Sequence, residues 1–352
     1  MFLVSQSAMP EVTRVWITDE DKYDEKTRLT PELRELARTE LREDATIRNQ
    51  ALKTMRDWLK KHPRILNCRL DSDFLLRFLR AKKFSIMQTQ ESLERYLLLR
   101  QSRGLEFSNL DYLRPEVSEL FDTGLLSFLR FLFPSPRRDH LGRRVIIVLP
   151  GRGDPYRVTK ETICRTVGAF GETLLEDEEV QIRGLVYFVD GSGVSLSYLT
   201  LCTPLEAVRV VKNGERTVPI RHKDIIGFNV NPAMKYVLDW GMSLISEKIR
   251  SRVKLCTDLE EAHQHIDKKL LPKEYGGDIP MVEMMALWRE EMAQTRSRIL
   301  SHDQMKVNLN MYSEAERIGT VSALKHPLGS NCGKASKTPF GVNGSFRKLE
   351  VD

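Results

Sequence analysis

Apolar residues follow two different rhythms along the chain, and the rhythm changes near residue 106. Between residues 30 and 105 they recur every three or four positions beneath a heavily charged surface, which is the pattern of amphipathic helices. Thr30-Pro31 and Asp71-Ser72 provide capped starts for two of these helices. The pattern therefore predicts an all-helical domain over residues 30–105, preceded by a flexible leader over residues 1–29.

Short apolar runs rich in β-branched residues alternate with helical patterns from residue 106 to residue 298. Such alternation favours an α/β domain with a mostly parallel sheet, because a chain returns to the next parallel strand through a helix. The strand-like runs occupy residues 145–149, 185–189, 220–230 and 252–256. Beyond residue 298 the sequence is rich in Ser, Gly, Lys and Asn, so residues 299–352 are expected to form a disordered tail.

The stretch from residue 232 to residue 249 carries an apolar stripe at helical spacing that includes Val237 and Leu244. Basic residues bracket this stripe, namely Arg221, Lys223, Lys248, Arg250 and Arg252. An apolar helix framed by cations suits a lid that closes an apolar cavity and contacts an anionic membrane. A core helix with a solvated, charged end would give the same pattern, so this stretch alone leaves both interpretations open.

The overall composition argues against several classes of protein. No apolar run reaches the ~18–20 residues of a membrane-spanning helix, and the N-terminal apolar stretch is too short for a secretory signal. The net charge of +6 favours anionic partners, but the basic residues lack the interleaved aromatic residues that stack on nucleic-acid bases. The histidines do not cluster, the five cysteines form no C-x-x-C pair, and no nucleotide-binding or nucleophile-elbow motif occurs. We therefore expect a cytoplasmic protein with no metal, cofactor, nucleic-acid partner or catalytic activity.

Five motifs occur in a characteristic order. They are F-L-L-R-F-L-R-A-K-K-F (74–84), D-H-L-G-R-R-V-I-I-V (139–148), G-L-V-Y-F-V-D (184–190), I-S-E-K-I-R-S-R (245–252) and L-P-K-E-Y-G-G (271–277). Together they resemble the CRAL-TRIO lipid-transfer family, in the branch of α-tocopherol transfer protein, retinaldehyde-binding protein and clavesin. The resemblance covers about residues 30–298.

The resemblance implies a helical CRAL-TRIO N-terminal domain followed by a lipid-binding domain with a hydrophobic cavity on its sheet. A mobile helical gate over residues 232–249 would close that cavity, although Gly241 to Leu244 replaces the second proline that related gates usually carry. The resemblance also assigns the binding of phosphoinositide head groups to the bracketing cations Arg221, Lys223, Lys248, Arg250 and Arg252. A further basic site is implied at Arg80, Lys82 and Lys83.

Strand alternation and the resemblance together predict the wall of the cavity. Leu185, Tyr187 and Val189 share one face of their strand, and the resemblance turns that face toward the ligand. The complete predicted set is Val167, Phe170, Leu174, Leu185, Tyr187, Val189, Val210, Ile225, Val237 and Leu244. Taken singly, each of these residues fits an ordinary core position better, but the set as a whole favours a cavity.

These observations favour a monomeric, non-enzymatic carrier of one tocopherol-like or retinoid-like molecule or another lipid. It would exchange its cargo at phosphoinositide-containing endosomal or plasma membranes, to which it binds reversibly. A phosphoinositide-binding adaptor for membrane trafficking is the alternative, and the long polar tail favours it. An enzyme built on the same sheet would need titratable groups in the cavity, which the apolar wall argues against.

Overall fold

The computed structural model describes residues 16–18, 20–103, 108–113, 131–152, 155–156, 159–201, 203–321 and 323–324. Its helices are α1 (Glu25–Arg28), α2 (Pro31–Leu36), α3 (Ala45–Lys61), α4 (Ser72–Ala81), α5 (Ile86–Arg103), α6 (Lys160–Leu175), α7 (Glu178–Arg183), α8 (Pro204–Thr217), α9 (Lys235–Leu244), α10 (Glu247–Arg250), α11 (Leu259–His263), α12 (Met281–Ser301) and α13 (Glu314–Arg317). Its strands are β1 (Ile65–Asn67), β2 (Leu132–Arg138), β3 (Arg144–Val148), β4 (Leu185–Asp190), β5 (His222–Phe228), β6 (Val253–Leu255) and β7 (Lys306–Val307). A π-helical turn at Ala37–Leu41 joins α2 to the segment before α3, and short 3₁₀ turns connect other elements.

The N-terminal helices pack around an aromatic and aliphatic core. Asp71 starts α4 by accepting a hydrogen bond from the backbone N–H of Phe74 at 3.1 Å, as the sequence predicts. The rings of Phe74 and Phe78 lie 5.4 Å apart, and Phe78 meets Tyr96 of α5 edge to face at 5.3 Å. These contacts hold α4 against α5, because edge-to-face aromatic pairs stabilise the packing beyond the burial of their apolar surface.

A five-stranded sheet with the order β2-β3-β4-β5-β6 forms the centre of the second domain. Strands β3 to β6 run parallel, and β2 pairs antiparallel with β3. Strand β2 does not emerge from the sequence pattern because it contains Pro134 and Pro136, which lack the N–H that a central strand needs. The structure places it at the edge of the sheet, where prolines are tolerated. The predicted fold class, a helical N-terminal region followed by an α/β domain, is confirmed.

The polar segment after α12 differs from the disordered tail expected over residues 299–352. Helix α12 continues to Ser301, and β7 then pairs antiparallel with β1 through Ile65 and Val307. The side chains of Met305, Val307 and Tyr312 are buried in the core of the N-terminal helices. A few apolar residues in a polar stretch are enough to dock it, because they meet a core that is distant in sequence. Residues 322 and 325–352 lie outside the described residues.

The described part of the predicted leader is likewise packed. Thr18 donates a hydrogen bond to Asp71 at 2.7 Å, and Tyr23 is buried, with the guanidinium group of Arg48 over its ring at 4.6 Å. Residues 1–15 and 19 lie outside the described residues, as does the predicted boundary at 105–106.

Candidate functional site

One face of β4, β5 and β6 forms the floor of an apolar cavity. The parallel register aligns Tyr187 with Ile225 and Ile225 with Val253. One pleat further along, Val189 is aligned with Gly227, and Gly227 with Leu255. Because side chains alternate across a strand, these positions share one face of the sheet.

A helical lid covers this floor. The lid consists of a 3₁₀ turn at Pro232–Met234 followed by α9 and α10. Asn231 starts it by accepting a hydrogen bond from the backbone N–H of Ala233 at 2.9 Å. The lid is broken between α9 and α10, where Ile245 and Ser246 are both extended, so the gate predicted over 232–249 is two helices. The backbone N–H of Ser246 is held by Glu215 of α8 at 2.8 Å.

Floor and lid border a cavity of about 480 Å³ that opens to the surface, where the lining residue Leu255 is half exposed. Its lining is Val189, Gly191, Val194, Ile225, Gly227, Phe228, Val230, Asn231, Met234, Val237, Leu238, Gly241, Met242, Ile245, Ile249, Val253 and Leu255. No charged side chain belongs to this described lining, and Asn231 is its one polar side chain. A volume of this size is typical of small-molecule sites, and an uncharged wall favours an apolar ligand because a buried charge without a partner is costly.

The structure places the predicted cavity residues in four different settings. Val189, Ile225 and Val237 lie in the lining of the cavity. Tyr187 lies on the same sheet face, but its hydroxyl hydrogen-bonds to Nδ1 of His222 at 2.8 Å. Leu244 belongs to the lid without lining the cavity. The remaining five residues lie elsewhere, with Phe170, Leu174 and Leu185 buried in the core and Val167 and Val210 exposed.

Sequence reasoning missed several lining residues that a simple signal marks. Val253 and Leu255 alternate on β6 in phase with Val189 and Ile225, so strand periodicity could have placed them. Ile245 belongs to the same apolar stripe as Val237, and Met242 lies beside that stripe. Val210 was assigned to the cavity wrongly. Helical spacing shows which residues of α8 share a face, but packing decides which face is buried, and Val210 is on an exposed one.

A second, basic pocket of about 280 Å³ lies beside the cavity. Six cations line it: Lys82 and Lys83 after α4, Arg221, Lys223, Lys248 and Arg252. Two carboxylates, Glu40 and Glu215, the imidazole of His222 and Ser246 complete its polar lining. The structure thus brings together four of the five predicted head-group residues and adds two lysines from the N-terminal domain.

Crowding of cations shapes the electrostatics of the basic pocket. Partial burial and then the neighbouring Arg252 and Lys83 lower the pKa of Lys248 below that of an ordinary lysine. Burial and then Lys248 likewise lower the pKa of Lys82. Burial, Arg252 and Lys248 also lower the pKa of His222 to about 4, so its ring is neutral at pH 7. A pocket that holds mutually repelling cations is suited to bind an anion, which relieves the repulsion.

Two of the predicted basic residues have other roles. Arg250 turns back to the end of α9, where it donates to the carbonyl oxygens of Met242 at 3.0 Å and Ile245 at 3.4 Å. Arg80 is fully buried and pairs with Glu43 and Glu178, both at 2.9 Å. Arg80 is therefore not part of a surface site with Lys82 and Lys83, because its charge is already neutralised inside the protein.

The cavity and the basic pocket share structural elements. Ile249 of α10 lines both, and the adjacent Lys248 lines the basic pocket. The hydrogen bond between Tyr187 and His222 joins the cavity face of the sheet to the basic pocket a second time. A displacement of α10 would consequently alter both sites.

Comparison with known proteins identifies the family. Residues 130–277 match the family model described as the CRAL/TRIO domain, and residues 44–117 match the one described as a Pinta-like UBA domain. Alpha-tocopherol transfer protein-like from Mus musculus is 34% identical over 253 residues, which is 71% of this chain and 71% of that protein. Clavesin-2 from Homo sapiens is 30% identical over 291 residues, which is 81% of this chain and 84% of that protein. The solved structure of Sfh5 aligns with a TM-score of 0.41 at 15% identity, covering 60% of this chain and 74% of that chain. With relatives of this identity and coverage, the chain belongs to the CRAL/TRIO family, as its motifs predicted.

Proposed function

We propose that this protein carries one hydrophobic molecule in the lid-covered cavity and exchanges it at membranes that contain phosphoinositides. The observation that carries the proposal is the shared lid helix α10, which presents Ile249 to an uncharged cavity and Lys248 to a basic pocket. Family membership supports the carrier role, since one relative is named alpha-tocopherol transfer protein-like. The cargo class and the membrane partner are our inference from the two sites.

The cavity favours a cargo that is apolar along its whole enclosed length. Each methylene group that the cavity removes from water stabilises the complex by roughly 0.8 kcal/mol, so a bound terpenoid or acyl chain leaves slowly without help. The single polar lining side chain, Asn231, lies at the start of the lid and could accept or donate one hydrogen bond. A tocopherol-like or retinoid-like molecule, with one polar end and a long apolar body, suits this lining.

The outer surface of the lid is suited to a membrane interface. Tyr236 is 85% exposed and Trp240 is 39% exposed, and both belong to α9. Such amphipathic aromatic residues favour the boundary between head groups and acyl chains, while each nearby cation contributes about 1 kcal/mol on an anionic surface. Contact with the membrane would favour an open lid, provided that the open state binds the surface more tightly than the closed state.

The described residues at the carboxyl end of the sheet support a non-enzymatic role. Asp190 accepts hydrogen bonds from the hydroxyl of Tyr275 at 2.7 Å and from Nδ2 of Asn229 at 3.0 Å, so it joins β4 to its neighbours. Its carboxylate is thereby engaged in structural contacts. We place the carrier in the cytoplasm, as a monomer that attaches reversibly to endosomal or plasma membranes.

Native mass spectrometry of the purified protein, followed by organic extraction, tests the carrier role. We expect one stoichiometric hydrophobic molecule, lost in Val189→Asp because that change places a charge in the cavity wall. Val210→Asp is the matched control, since this residue is 43% exposed and lies outside the cavity lining. The carrier role would be contradicted if the protein is empty and takes up neither tocopherol nor retinal from vesicles. If that protein still binds phosphoinositide vesicles, the result favours the trafficking adaptor.

A further inference from the structure

Glu40 places a carboxylate from the N-terminal domain inside the basic pocket. It lies in the π-helical turn Ala37–Leu41, which ends at Arg42 with a left-handed φ of 65°. Its Oε2 atom accepts hydrogen bonds from Nη2 of Arg221 at 2.7 Å and from Nζ of Lys223 at 2.8 Å. Burial would raise the pKa of Glu40, but the hydrogen bonds from Lys223 and Arg221 lower it, so the carboxylate is charged at neutral pH.

The pocket has two unlike halves. In one half, Glu40 occupies Arg221 and Lys223 in the way that a phosphate oxygen would. In the other half, no carboxylate among the described residues pairs with Lys83 or Lys248. The second acid of the pocket, Glu215, accepts a hydrogen bond from the backbone of Ser246 and pairs with neither cation. Six cations against two carboxylates still leave an excess of positive charge for a ligand.

We propose that Glu40 is an internal competitor that sets how much negative charge a ligand needs in order to fill the basic pocket. The inference rests on the proposed function for the identity of the ligand, a phosphate-bearing head group. An anion with one phosphate can bind at Lys83 and Lys248 while Glu40 stays in place. A head group with several phosphates reaches Arg221 and Lys223 only by displacing the carboxylate, so Glu40 lowers its affinity and keeps attachment reversible.

Displacement of Glu40 has a structural consequence. The carboxylate is a polar contact between the π-helical turn of the N-terminal domain and β5 of the lipid-binding domain. When a ligand takes over Arg221 and Lys223, the turn loses that contact. We therefore expect faster amide hydrogen exchange in residues 37–43 on binding, an effect that a purely structural salt bridge would not produce.

The test compares full-length wild type with Glu40→Gln, which removes the charge and keeps the shape. Binding is measured to vesicles containing phosphatidylinositol bisphosphate, to vesicles containing phosphatidylserine, and to soluble inositol hexakisphosphate. We expect Glu40→Gln to bind the first and third probes roughly three- to tenfold more tightly and phosphatidylserine with a smaller change. Glu35→Gln is the matched control, because Glu35 lies on α2 and its one ion pair among the described residues is with Arg38 at the surface. A gain for the soluble probe alone supports the inference and identifies free phosphates, not lipid, as the ligand source.

Other outcomes separate failure of this inference from failure of the proposed function. If wild type binds bisphosphate vesicles and Glu40→Gln binds them equally or more weakly, Glu40 positions its cations and the competitor role is overturned. If neither protein binds any of the three probes, the basic pocket is not an anion site and the membrane part of the proposed function falls with the inference. A thermal unfolding curve for each variant shows that the comparison is made between folded proteins.

Discussion

Two regions rich in cations link the N-terminal helices to the α/β domain, and they differ in how their charge is balanced. In the first, which we call the interdomain network, Arg77 pairs with Glu172 at 2.9 Å and Glu176 at 2.7 Å, and Arg80 with Glu43 and Glu178 at 2.9 Å. Both guanidinium groups are almost completely buried. In the second region, the basic pocket, six cations share two carboxylates. A balanced, buried set of charges holds domains together, whereas an unbalanced set at the surface is available to a ligand.

The same short motif contributes to both regions. Arg77 and Arg80 of α4 face Glu172 and Glu178 across the domain interface, while Lys82 after the helix turns into the basic pocket. Composition therefore does not separate a structural cation from a ligand-binding one. What separates them is the number of carboxylates within reach of each side chain.

Removal of an interdomain arginine should have the largest effect. We expect Arg80→Met to lower the free energy of unfolding by about 3–5 kcal/mol, because the buried Glu43 loses its closer cation and keeps only Arg48, at 3.4 Å. Urea denaturation measures this change. The control is Arg38→Met, whose pair with Glu35 is exposed to solvent and should change stability little. Equal losses for the two variants would mean that the network does not hold the domains.

Acid should have the second-largest effect, by weakening the interdomain network. Burial would raise the pKa of Glu176, but Arg77, Arg69 and Arg298 outweigh burial and lower it to about 2. The unfolded chain takes up this proton near the ordinary value of 4.5, so the stability that Glu176 contributes is present above that pH and is lost as the pH falls toward 2. The contribution is on the order of 3 kcal/mol.

The variant Glu176→Gln checks the origin of that acid dependence. It should be less stable than wild type at pH 7, and the difference should shrink as the pH is lowered from 5 to 2. Free energies of unfolding at several pH values, at constant ionic strength, measure the difference. A constant difference over this range would show that another group carries the acid sensitivity.

Loss of cations from the basic pocket should weaken membrane binding while leaving stability unchanged. We expect the double variant Lys83→Ala/Lys248→Ala to bind phosphatidylinositol bisphosphate vesicles at least about tenfold more weakly, at about 1 kcal/mol per cation. Its free energy of unfolding should not fall, because removing two crowded cations relieves repulsion. Arg250→Ala is the neighbouring control and should change binding less, since its guanidinium is held by two carbonyl groups of the lid. Vesicle co-sedimentation measures the binding. Weaker binding by Arg250→Ala than by the double variant would contradict the assignment of membrane binding to this pocket.

Local patterns predicted those parts of the structure that depend on nearest neighbours in sequence. The buried strands β3 and β4 are short β-branched runs, and the capped start of α4 follows from Asp71 alone. Strand β2 was not predicted, because its two prolines are incompatible with a central strand. Prolines are tolerated in an edge strand, which is the position that β2 occupies. The segment around Met305 and Tyr312 was hidden because its few apolar residues pack against helices more than 200 positions earlier in the sequence.

The parts of the site that follow from charge and from strand alternation in neighbouring residues were predictable from the sequence. Arg221, Lys223, Lys248 and Arg252 flank the lid in sequence, and the structure gathers them in one pocket. The orientation of Arg250 was not predictable, because the break at Ile245 resets the phase of the helix that carries it. Glu40 could not be foreseen as their partner, since no local pattern connects a turn in the first domain to a strand that begins 182 residues later.

Alkaline pH should have the smallest effect, and it should affect the basic pocket and not the interdomain network. Burial, Arg252 and Lys83 lower the pKa of Lys248, so the free protein loses this charge at a lower pH than an ordinary lysine would. Between pH 7.5 and 9.5 the phosphates of the ligand stay ionised, so a change in binding over this range reports on the protein. Binding to bisphosphate vesicles should weaken roughly a few-fold as Lys248 loses its proton. Lys248→Arg stays charged throughout and should flatten the profile in part, leaving the fall that Lys82 and Lys223 cause. The exposed Lys61→Arg should keep the wild-type profile, and a Lys248→Arg profile as steep as wild type would remove Lys248 from the binding site.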